Sequence, residues 1–94
     1  MRIDRIQKNE ERLDLIRRSM KNLEEAFSDF VSHQKDLAYL NKYYGSQNWF
    51  QDKDAFEQGK SPRIKAGVLS EDAVWNLNEE IQELKQEMKK FSQT

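Results

Sequence analysis

The sequence of this chain contains no cysteine, one histidine, one proline and three glycines. Without cysteine, the chain can form no disulfide framework, no thiolate nucleophile and no cysteine-based metal site. No apolar run approaches the roughly 20 residues that a transmembrane helix needs, and the charged N-terminal segment lacks the apolar core of a signal peptide. We therefore expect a cytoplasmic protein that makes no membrane contact.

The chain also lacks an excess of charge of either sign. It has 16 Lys and Arg against 17 Asp and Glu in 94 residues, for a net charge of -1. A nearly neutral balance argues against a general nucleic-acid binder. A short chain with 36% hydrophobic and 35% charged residues predicts one thin-cored domain over residues 1–94, too small for the deep pocket of an ordinary enzyme.

What the chain does have is two runs of apolar residues at seven-residue spacing. Such spacing draws a narrow stripe along a helix, and a stripe of this kind requires a partner helix. The fold class predicted is all-α, a long antiparallel helical hairpin. The first run comprises Ile6, Leu13, Met20, Phe27 and Ile16, Leu23, Phe30, Leu37, Tyr44. The second comprises Val74, Ile81, Met88 and Leu77, Leu84, Phe91.

Glycine and serine residues predict where the helices begin and end. Residues 2–44 contain no glycine or proline and predict one long helix that ends at Gly45. A short helix is expected over about 47–58 and a connection over 59–69, which contains Pro62. Ser70 is a suitable N-cap for a last helix over about 71–91.

Two antiparallel registers are open for the two long helices. One sets Ile16 near Ile81 and brings the basic residues 1–21 towards the acidic residues 70–94. The other sets Leu37 near Ile81. We favour the first, with the middle helix packed on the distal half of helix 1, where it would cover Phe27 and Phe30. Gln34 and Asn41 interrupt the first stripe; each amide is expected either to fix register, to bond the middle segment or to face solvent.

The sequence carries no recognisable catalytic, cofactor-binding or metal-binding constellation. Asp52 to Glu57 begins like a calcium loop, but Phe56 and Glu57 stand where an oxygen ligand and the turn glycine belong. His33 has no second histidine or cysteine with which to build a typical metal site. We therefore predict a non-enzyme with no cofactor, acting on an unknown protein partner as a monomer or homodimer.

Two sets of residues are candidates for contact with a partner. Tyrosine and tryptophan are enriched at interaction hot spots, and four of them form a possible interaction patch or, alternatively, a satellite core under the middle segment: Tyr39, Tyr43, Trp49 and Trp75. A possible basic patch on helix 1 supports the alternative of a nucleic-acid or nucleotide binder: Arg12, Arg17, Arg18 and Lys21.

Residues 43–77 carry a resemblance to a known family. The matching features are Tyr43-Tyr44-Gly45-Ser46, Trp49, Gly59-Lys60, Pro62 and the stretch Gly67 to Val74. In these features the chain resembles a family of small bacterial proteins catalogued only as a domain of unknown function. The resemblance implies no activity, cofactor or catalytic residue.

Overall fold

The computed structural model describes residues 1–60 and 63–94 and is all-α. Pro62, predicted to lie in the connection, is outside the described residues. The helices are α1 (Arg2–Ser32), α2 (Gln34–Tyr43), α3 (Gln47–Glu57) and α4 (Ala73–Ser92), with a short 3-10 helix at Gly67–Leu69. The chain divides into two compact units, Met1–Asp36 and Leu37–Thr94.

The first helix is interrupted at His33, where the sequence predicted one helix from 2 to 44. Side chains compete here for backbone carbonyls: Ser32 Oγ donates to the Asp29 carbonyl, and Gln34 Nε2 donates to the Phe30 carbonyl at 3.1 Å. The His33 N–H bonds to the Phe30 carbonyl, three residues back. Side-chain bonds of this kind compete with the backbone ladder, and α1 ends at Ser32 although the apolar spacing continues.

In the second unit, α2 and α3 are joined by a tight turn at Gly45. Gly45 has φ 76°, a conformation that glycine adopts without a steric penalty. Ser46 follows with extended backbone, and its Oγ accepts the Trp49 N–H at 3.2 Å, which caps the start of α3. At the far end of α3, Gly59 has φ 70°, and the Lys60 N–H bonds to the Ala55 carbonyl in a Schellman arrangement.

The last helix begins two residues later than expected and is linked to α2 by hydrogen bonds. Ser70 Oγ accepts the Ala73 N–H at 3.1 Å, as an N-cap does. Asn41 and Asn78 exchange two hydrogen bonds, of 3.3 and 2.8 Å, between α2 and α4. This pairing fits the register with Leu37 near Ile81; the register that we favoured, with Ile16 near Ile81, is wrong for this reason. Exposed ion pairs contribute only a few tenths of a kcal/mol each, so charge alone does not fix the register.

The core of the second unit is small and centres on Trp49, Val74 and Ile81, its buried apolar residues among those described. The middle helix reaches the end of the first run through Trp49 against Tyr44. Phe27 and Phe30, which we expected it to cover, are exposed. Eleven residues of helix are about 16 Å long, and the one buried side chain of α3 is Trp49.

Replacing Trp49 is expected to destabilise the protein far more than replacing Trp75. Trp49 is 4% exposed and Trp75 57% exposed, so Trp49→Ala removes a core side chain and should cost about 3–5 kcal/mol. Trp75→Ala is the matched control. Urea unfolding of both variants measures the difference. Equal losses of stability would contradict the assignment of Trp49 to the core.

A second prediction concerns His33, whose ring lies between two carboxylates. Nδ1 is 3.1 Å from Asp36 and Nε2 is 3.4 Å from Asp29. The hydrogen bond to Asp36 and the charge of Asp29 raise the pKa of His33 above 6.5. The protonated ring therefore stabilises this segment at low pH, and the contribution is lost as the pH rises through the raised pKa.

Asp36→Asn should therefore lower the pKa of His33 towards its ordinary value. Proton NMR titration of the imidazole ring measures this directly. Asp14→Asn is the matched control because Asp14 lies several turns away in α1. A His33 pKa that is the same in the wild type and Asp36→Asn would show that the contact does not form in solution.

Candidate interaction surfaces

The four aromatic residues proposed as one interaction patch have different environments. Trp49 is buried, its Nε1 donates to the Val68 carbonyl at 2.9 Å, and its ring lies edge-on to Tyr44 and Phe50 with centroids 5.4 and 5.0 Å away. A buried indole whose N–H has found a partner is part of a core. Trp49 therefore holds the connection onto α3 and is not available to a partner.

The remaining three aromatic residues differ in how much surface they offer. Tyr43 is half-buried, and its hydroxyl donates to Asp52 at 2.6 Å. This bond to a carboxylate raises the pKa of Tyr43 above 10. Tyr39 is 72% exposed and Trp75 is exposed as well. Of the four, only Tyr39 and Trp75 present most of their side chain to solvent.

Lys53 and Glu71 link α3 to the segment that leads into α4. Lys53 Nζ lies 2.9 Å from Glu71 Oε1 and 5.3 Å from the centre of the Trp49 ring. The Tyr44 hydroxyl donates to the Glu71 carbonyl. The hydrogen bond between Lys53 and Glu71 lowers the pKa of Glu71 and raises that of Lys53. Sequence reasoning missed this contact because it took Asp52 to Glu57 for an isolated acidic segment.

A cleft of about 220 Å³ opens between α3 and the residues before α4. Phe56, Ile64 and Leu69 contribute apolar walls, and Asp52 with Tyr43 contributes the polar edge. Small-molecule sites usually measure about 300–1,000 Å³ and hold several convergent polar groups. Here the Asp52 carboxylate already accepts the Tyr43 hydroxyl, which leaves little to direct a substrate.

The proposed basic patch lies on α1, but helix geometry does not bring its four members together. At 100° per residue, Arg17, Arg18 and Lys21 fall on neighbouring turns of one side, whereas Arg12 is about 140° away from Arg17. Asp14 lies three and four residues before the two arginines and so shares their side of the helix. The local positive charge is therefore smaller than the four basic residues suggest.

The most extensive candidate surface is the apolar side of α1. Among the 31 residues of this helix, none is buried. We call the following set, each member between 40% and 68% exposed, the α1 stripe: Ile6, Leu13, Ile16, Met20, Leu23, Phe27 and Phe30. Monomeric proteins rarely leave so many large apolar side chains contiguous and exposed. The stripe therefore has the character of a contact surface.

No group of three or more histidine, aspartate or glutamate side chains is placed to hold a metal ion within residues 1–60 and 63–94. Over the same ranges, none of the helices is sufficiently long and apolar to cross a membrane.

The fold and these surfaces define an all-helical protein whose longest helix exposes a heptad-spaced apolar stripe. The chain belongs to a family described as a domain of unknown function, DUF4298, whose family model matches residues 6–91. The resemblance seen in residues 43–77 is thereby confirmed, and the match extends over both long helical regions. No curated protein and no solved structure matches the chain.

The Lys53–Glu71 pair yields a pH-dependent prediction. Because the folded state lowers the pKa of Glu71 below 4.5, the pair stabilises the protein above that value, and its contribution is lost as the pH falls through the lowered pKa. Lys53→Met keeps the apolar stem and removes the charge. It should reduce stability at pH 7 and make little difference at pH 2.

Urea unfolding at the two pH values measures this effect, with Lys85→Met as a control for the loss of one positive charge. Lys85 lies in α4 and forms no ion pair in the described part of the chain. A Lys53→Met defect as large at pH 2 as at pH 7 would attribute the loss to packing on Trp49 instead of to the charge pair.

Proposed function

We propose that this protein is a non-catalytic protein–protein interaction module, an adaptor or regulator in the cytoplasm, that binds its partner through the α1 stripe. The observation that carries the proposal is the burial pattern of α1: 31 helical residues, none buried, with apolar side chains at heptad spacing. Helices in proteins gain most of their stability from packing an apolar face. A long helix with this pattern is suited to gain it from a partner.

The chemistry of the other surfaces supports a binding role over a catalytic one. The cleft beside α3 is smaller than a usual substrate site, and its carboxylate is already bonded to Tyr43. The groups with shifted pKa values are His33, Tyr43, Lys53 and Glu71, and each owes its shift to a contact that joins helical segments. These shifts have a structural explanation and call for no reaction.

A nucleic-acid or nucleotide partner is the alternative, through Arg12, Arg17, Arg18 and Lys21. Phosphate contacts require clustered positive charge and give an affinity that falls steeply with salt. The angular spread of these residues and the position of Asp14 disfavour that partner. A protein ligand that covers the apolar side of the same helix makes use of more of its surface.

Site-specific photo-cross-linking in cells tests the proposal. A benzophenone amino acid at Leu23 stands in the α1 stripe, and the same group at Glu25 stands about 200° around the helix. We expect protein adducts from position 23 and few from position 25, with either a second copy or a different protein attached. Equal labelling from both positions, or adducts formed with nucleic acid, would contradict a protein-binding role for the stripe.

A further inference from the structure

The charges beside the α1 stripe identify which partner fits it. Arg17 follows Ile16 and Glu24 follows Leu23, so both stand on the same edge of the stripe, two turns apart. Neither forms an ion pair among the described residues. At the centre of the stripe this edge therefore carries one positive and one negative charge, and this central pair of positions is complementary to itself in an antiparallel arrangement of two helices.

We propose that the occupant of the α1 stripe is a second copy of this chain, which binds through α1 in an antiparallel coiled coil. This inference rests on the proposed function, because it names the partner of the same surface. The two-fold arrangement sets Met20 against Leu23 of the second copy at its centre. Ile16 then meets Phe27 of the second copy, and Leu13 meets Phe30 of the second copy.

The flanking charges select this register. In an antiparallel pair, edge residues of one kind face the same kind of edge on the other helix. Arg17 therefore faces Glu24 of the second copy, and symmetry produces the contact twice. Sliding one copy by a heptad sets Arg17 against Arg17 in one direction and Glu24 against Glu24 in the other. A parallel pair sets Arg17 against Arg12, again with like charges.

The pairing of apolar side chains favours the same register as the charges do. Sliding by two heptads towards the N-terminus restores opposite charges, with Glu10 facing Arg17, but it places Asn9 against Met20 and leaves Phe27 and Phe30 without a partner. The central register covers the stripe from Leu13 to Phe30, about 27 Å of helix. Large side chains meet along the whole of this length, and all of them are exposed in the single chain.

Charge reversal at the two edge positions tests the register. Arg17→Glu alone and Glu24→Arg alone each create two like-charge contacts per dimer, so each should weaken self-association by at least about tenfold. Mixing the two variants should restore association as a heterodimer, because all facing pairs are then opposite. The double variant should also regain the affinity of the wild type.

Sedimentation equilibrium and native mass spectrometry of mixed, isotopically distinguished chains measure these associations. The matched controls are Arg18→Glu and Glu25→Arg, which change the net charge identically on the outer side of α1. Equal weakening by Arg17→Glu and Arg18→Glu, or absence of heterodimer on mixing, would overturn the antiparallel register. A wild type that stays monomeric at about 100 µM would overturn self-association itself.

Self-association through α1 and the protein-interaction role can be disproved independently of each other. A monomeric wild type that still yields adducts with another protein from position 23 overturns the second copy as the partner and leaves the interaction role standing. A monomeric wild type without such adducts overturns both.

Discussion

The α1 stripe is the constraint on which this account depends. A helix 31 residues long with no buried side chain has no tertiary packing of its own from which to gain stability, and intrinsic helix propensity is a weak substitute. Its exposed Ile, Leu, Met and Phe side chains would contribute about 1.5–3 kcal/mol each if they were fully buried. The largest unrealised free energy in the described residues therefore lies on this one side of α1.

The second unit, unlike α1, has buried apolar side chains and contacts between its own segments. Here Val74 and Ile81 of α4 are buried, and the Asn41–Asn78 pair links α4 to α2. Trp49 then ties the segment before α4 to α3 through its hydrogen bond to Val68, and Lys53 holds Glu71 beside it. The Tyr43–Asp52 and Lys53–Glu71 contacts engage polar groups of this unit within the chain.

The all-α class and several helix ends follow from the sequence because their causes are local. Gly45 is needed for a positive φ, Ser46 caps α3, and Ser70 accepts the N–H of the first residue of α4. The register did not follow, since charge and apolar spacing are each satisfied by more than one alignment. The observed register is marked by the hydrogen bonds between Asn41 and Asn78, which are 37 residues apart. A local sequence pattern does not predict a pairing at that distance.

The candidate surfaces were predictable to a similar extent. The heptad spacing identified the α1 stripe, but not which of its residues would remain exposed. Among the aromatic residues, position relative to the apolar runs does separate Trp49 from Trp75: Trp75 lies one position off the run of α4 and is 57% exposed, whereas Trp49 is 4% exposed. The helix interruption at His33 was not predicted, because Ser32 and Gln34, whose side chains bond to carbonyls there, are also common in uninterrupted helices.

Electron–electron dipolar distances between spin labels test the central claim most directly. In the antiparallel dimer, labels at Glu11 of the two copies stand about 32 Å apart along the axis, and labels at Arg18 about 10 Å apart, at 1.5 Å per residue. We expect a much longer distance for Glu11 than for Arg18 in the antiparallel dimer. Similar short distances for both labels would indicate a parallel pair, and the absence of any dipolar signal would show that α1 does not bind a second copy.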